Sequence, residues 1–121
     1  MFQEVKDTLP ISGDDYDAQI IREIKACALD LTTSAEIVLP GVIAISRTQG
    51  QDGKWTISDQ STVTDDLIIA TIATWCNMRI GNPPNADFLL RSYESLKGRL
   101  RLSKHYTHYE ESEDDEDDDQ L

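Results

Sequence analysis

The chain has 121 residues, enough for one hydrophobic core and too few for two. Its net charge is −12, yet nine of its 23 acids stand in the last twelve residues, EESEDDEDDDQL, so the rest, with 14 acids against 11 bases, is close to neutral. An acidic balance argues against a protein that holds DNA through its phosphates, and no apolar run approaches the ~20 residues of a membrane span or opens the chain as a secretory leader.

In chain order, Phe2, Val5 and Leu9 stand at helical spacing in FQEVKDTLP, which predicts a short docking helix ended by Pro10. SGDDYD then offers capping residues and acids for the positive end of a second helix, about 15–31. Ile20, Ile21, Ile24, Cys27, Ala28 and Leu31 form its apolar stripe. Leu29 falls off that stripe and is a candidate contact to a neighbouring subunit.

The period changes in the middle. VIAIS (42–46) and WTIS (55–58) flank the turn-rich RTQGQDGK, which predicts a β-hairpin inserted at about 42–58 with its tip near Gly50 to Gly53. Two strands alone are marginal in water, so the hairpin must pack on the helices or on another chain.

A third helix is predicted from about 65 to 80, with Thr64 as cap and Asp65 and Asp66 in its first turn. Apolar residues from Leu67 to Ile80 cover most of its circumference, the mark of a helix surrounded by protein, either as the centre of the domain or partly against a second subunit. RIGNPPNADFLL then stops one helix at Gly81 and the two prolines, and Asn85 can cap the next. The fourth helix, about 86–104, carries a seam of Leu89, Tyr93, Leu96 and Leu100, flanked by Arg91, Lys97, Arg99, Arg101 and Lys104.

The fold class is therefore mainly α: a small bundle of one short N-terminal helix and three longer ones, with an inserted β-hairpin. Residues 1–104 form the domain, and 105–121 an acidic tail predicted to be disordered, because dense like charges repel and bury nothing.

Chemistry-bearing constellations are scarce. Cys27 and Cys76 have no zinc spacing and read as reduced, buried thiols. His105 and His108 border the tail, where nothing rigid would hold a metal. Asp14, Asp15 and Asp17 lack a calcium loop's pattern and suit a helix N-terminus better. No phosphate-binding glycine loop, nucleophile–base pair or metalloprotease motif occurs, so neither an enzyme nor a cofactor or resident metal is expected.

VKDTLPI followed by DDYDAQIIREIKACA resembles the start of tailed-bacteriophage head–tail connector proteins, or portal adaptors. DDLIIATIATWCNMRIGNPPNADFLLRSYESLKGRLRLS resembles their second half, so the likeness spans roughly residues 2–104 apart from most of the hairpin. It implies a structural virion subunit, made in the host cytoplasm and located in the neck. Such subunits form a dodecameric ring beneath the portal protein, extend the DNA channel without sequence-specific binding, and dock a stopper or tail-completion protein. By the same likeness, Arg99, Arg101, Lys104, Tyr106 and Tyr109 become candidate portal contacts. Arg47, Lys54 and Trp55 become candidate contacts to a neighbouring subunit or the next ring. The competing reading is a small acidic binding protein, a DNA mimic or inhibitor of a basic nucleic-acid-binding protein; a mimic, however, needs acids at ordered, phosphate-like spacing.

Overall fold

The computed structural model describes residues 1–81 and 83–103. Its elements are α1 (Phe2–Asp7), α2 (Asp17–Thr33), β1 (Ile45–Gln49), β2 (Trp55–Asp59), α3 (Asp66–Arg79) and α4 (Ala86–Leu102). The mainly helical bundle with one inserted hairpin is thus the observed architecture. Lys104 and the acidic run lie outside the described residues, as does Asn82 of the inter-helix turn.

The core follows the apolar spacing. Phe2, Val5 and Leu9 are buried, as are Ile20, Ile21, Ile24, Cys27 and Leu31 of α2. α3 is the central helix, packed against α1, α2 and α4, with Ile68, Ile72 and Cys76 fully buried. Leu67, Ile69 and Trp75 are half-buried against the same core. The all-round apolar pattern is thus largely met by the other three helices, with Leu67, Ile69 and Trp75 keeping part of their surface outside.

Several boundaries differ from those expected. α2 begins two residues late, at Asp17, where Asp14 and Asp17 meet Lys6 of α1 in ion pairs of 3.2 and 2.8 Å. These acids tie two elements together as well as facing a helix N-terminus. The cap of α3 is Asp65 rather than Thr64: an extended backbone aims its carboxylate at Leu67 N–H (2.9 Å) and Ile68 N–H (3.2 Å). Asp65→Ala should cost about 1 kcal/mol, since two helix-start donors lose their acceptor, and urea denaturation would measure it. Asn85 stands at the cap of α4 but makes no side-chain capping bond. The α4 seam is also narrower than four residues, with Tyr93 and Leu100 buried and Leu89 and Leu96 only half-buried. Gly81 sits at φ +80°, which an L side chain adopts only with strain, and there the chain leaves the helical path after Ile80.

The hairpin is antiparallel, with Ile45 opposite Asp59, Arg47 opposite Ile57 and Gln49 opposite Trp55. Alternation puts these six residues on one face and Ser46, Thr48, Thr56 and Ser58 on the other. Ile45 is buried and Ile57 half-buried, so the first face is turned to the helices and the hydroxyl face outward. The strands run to Gln49, further than expected, and the turn closes where Gly50 N–H bonds the Lys54 carbonyl at 2.8 Å. At the base, the pairing continues to Val42 and Thr62, partly through Ser61 and Thr62 hydroxyls that accept from Ala44 and Val42 N–H.

Asp59 fastens the hairpin to α1. Its Oδ2 accepts from the Phe2 N–H at 2.7 Å and from the Met1 ammonium at 2.8 Å, and its Oδ1 accepts from the Ser61 N–H at 3.0 Å. Burial raises the carboxyl pKa, but these hydrogen bonds outweigh it and hold the group well below the ordinary carboxylate range.

Candidate functional site

Two kinds of feature stand out: a polar seam inside the bundle that fixes α4, and large apolar side chains left outside on three different elements.

The seam runs where α2, α3 and α4 meet. Glu23, almost wholly buried, accepts from the Trp75 indole N–H at 3.0 Å and pairs with Arg79 at 3.4 Å. Arg79 also lies 5.1 Å from the Trp75 ring, and Trp75 meets Tyr93 edge-on with centroids 5.1 Å apart. The Tyr93 hydroxyl donates to Asp30 Oδ2 at 2.5 Å and accepts a weak bond from the Cys27 thiol at 3.8 Å. Lys97 reaches the same Asp30 oxygen at 3.1 Å and the Ser34 hydroxyl at 3.3 Å.

Burial alone would raise the Asp30 carboxyl pKa, yet the bonds from Tyr93 and Lys97 lower it on balance. Burial also pushes the Cys27 thiol up to about 12 and raises Cys76, so both remain protonated at neutral pH. Buried, protonated thiols of this kind are inert side chains of the interior.

Chemically, the seam positions a helix. Asp30 of α2 and Ser34 just past its end hold one turn of α4 by charge-assisted bonds, the stronger class of hydrogen bond. Lys97, one of the bases flanking the expected α4 seam, is therefore engaged inside the protein. Glu23 and Asp30 were missed as functional residues. The available signal was their spacing, because residues seven apart share a helix face and these two border the apolar stripe.

Outside, Leu29 on α2 is 63% exposed, as its off-stripe position requires. Trp55 is half-exposed, with the Arg47 guanidinium stacked 3.9 Å from its ring centroid. Lys54, also exposed, joins the turn to β2 and lines a cleft of about 310 Å³ with Trp55, Arg47 and Asp14. On α4, Phe88, Leu90 and Leu102 are exposed, and Arg99 and Arg101 stand in the solvent-facing last turn. The structure brings Arg47, Lys54 and Trp55 together near the hairpin tip and leaves Leu29 apart on α2. Lys104, Tyr106 and Tyr109 lie outside the described residues, as do His105 and His108.

Phe88 and Leu90 were not singled out from the sequence. Their signal is the same as that of Leu29: both lie off the seam that Tyr93 and Leu100 define. Among the described residues no helix is long and apolar enough to cross a membrane. Comparison with protein-family models, curated protein sequences and solved structures gives no match.

Proposed function

We propose that the chain is a structural subunit of a ring at the head–tail junction of a tailed bacteriophage, a connector seated under the portal protein. The observation that supports this reading is the distribution of apolar surface. The core closes within one chain, while Leu29, Trp55 and Phe88 with Leu90 stand exposed on α2, the hairpin and α4. A ring subunit needs two different faces that meet head to tail, plus further surface for the rings above and below. Separate patches on rigid elements meet that need, and the seam around Asp30 fixes α4 as an arm toward a partner. In this role the chain performs no bond chemistry; it positions copies of itself around the passing DNA.

Native mass measurement and negative-stain imaging, with and without a portal ring, test the proposal. Rings, or a complex with the portal, are expected; a chain that stays monomeric and ignores the portal sinks it. Leu29→Asp and Trp55→Ala sharpen the test. Leu29→Asp should leave stability within about 0.5 kcal/mol, because that side chain is largely outside the core, and Trp55→Ala should cost about 1 kcal/mol, because it removes a half-buried ring stacked on Arg47. Each should weaken assembly by roughly tenfold or more, the effect of losing an apolar anchor from an interface centre. Unchanged assembly by both variants would remove these two patches from the interface.

A further inference from the structure

The outer face of α4 carries bases with no partner among the described residues. Lys97 is engaged by Asp30, whereas Arg91, Arg99 and Arg101 are exposed and form no ion pair with any described residue. At a helical rise of about 1.5 Å per residue they span roughly 15 Å of the helix. Ser95 lies one turn from Arg91 and one turn from Arg99, and with Phe88 and Leu96 it lines a shallow groove of about 410 Å³. Arg91 and Arg99 bracket Ser95 on one side of the helix, while Arg101, two residues beyond Arg99, stands on the opposite flank; together they offer carboxylates planar guanidinium groups that can be met with two parallel hydrogen bonds.

The same chain carries the complementary charge. Beyond Ser103 the sequence continues for 18 residues, with nine acids between Glu110 and Asp119. The seven residues from Ser103 to Glu110 can stretch roughly 23 Å, so the acids reach every one of the three arginines without leaving their own chain. A tether that short holds them at an effective concentration of about millimolar.

We propose that residues 110–119 cover the arginine face of α4 in their own chain, as an intramolecular guard. Any acidic partner surface that uses this face must displace the guard first. The face is thereby protected from stray polyanions, nucleic acid included, until a partner with better-placed carboxylates arrives. Charge and reach alone suffice for such a guard, whether or not the chain forms a ring.

The test uses the full chain with photoreactive benzoylphenylalanine at Ser95, a substitution that removes none of the charges. No Lys or Arg follows Lys104, so trypsin releases 105–121 as a single peptide. In a mixture of heavy- and light-isotope chains, that peptide should be joined to the α4 peptide of the same isotope. The yield should exceed that from a probe at exposed Ala70 on α3. It should fall several-fold when salt rises from about 0.05 to about 0.5 M, where screening shortens the reach of charge. A similar fall is expected in the R91E/R99E/R101E variant at low salt. Yield no greater than at Ala70, predominantly heavy–light pairs, or a yield indifferent to salt and to the charge reversals would each overturn the proposal.

Discussion

Tyr93→Ala should come close to unfolding the domain, at a cost of about 3–5 kcal/mol. Tyr93 is 1% exposed, its ring packs edge-on to Trp75, and its hydroxyl donates to Asp30. Removing the ring opens a cavity between α4 and the rest of the core, and removes the shorter of the two bonds that Asp30 receives from α4. A domain this size loses about 4–8 °C of Tm per kcal/mol, so the shift should be tens of degrees. Tyr93→Phe separates the contributions: it keeps the ring and deletes the hydroxyl. Its expected cost is about 1–3 kcal/mol, the contribution of one hydrogen bond to a charged carboxylate, with Lys97 still bonded to Asp30. Thermal and urea denaturation of both variants check this. A Tyr93→Phe protein as stable as the parent would show that the Asp30 contact contributes nothing to holding α4.

Asp59→Ala is expected to cost roughly 2 kcal/mol at neutral pH, because it removes the acceptor of the Phe2 N–H and the Met1 ammonium and with it the fastening of the hairpin. The pH dependence carries the sharper signature. The Asp59 carboxyl is held well below its ordinary pKa in the folded chain. A group depressed in this way stabilises fully above its unfolded pKa, near 4, and loses that contribution as pH falls through the folded value. The stability gap between parent and Asp59→Ala should therefore be constant from neutral pH to about pH 5 and narrow below about pH 4. Urea denaturation across that range measures it, and a gap that persists undiminished in strong acid would detach Asp59 from the effect. Asp30 is depressed as well, so the Asp59→Ala variant itself retains some acid sensitivity.

Hydrophobic period carried most of the architecture. The α2 stripe, the all-round apolar α3 and the turn at Gly81 translate directly into buried side chains and a reversal of the chain, because burying those residues admits few alternatives. Local polar geometry was less legible. Whether Thr64 or Asp65 caps α3 depends on one residue's ψ, and the pairing of Asp14 and Asp17 with Lys6, eight or more residues away, is not written in the local pattern. For the surfaces, Leu29 could be read because a leucine opposite an apolar stripe has nowhere to go but outward. Lys97 could not: among the α4 bases it looks like any other, and only the approach of α2 shows that Asp30 holds it. Pairing between helices far apart in sequence leaves little trace in either one alone.

The central place of α3 bears on how such a chain can change over time. Its innermost helix touches the other three helices, so a substitution at Ile68, Ile72 or Cys76 disturbs several neighbours at once. Leu29, Trp55, Phe88 and Leu90 touch the interior little and are free to drift, constrained only by whatever they meet outside. A handful of surface side chains can therefore change while the frame stays unaltered.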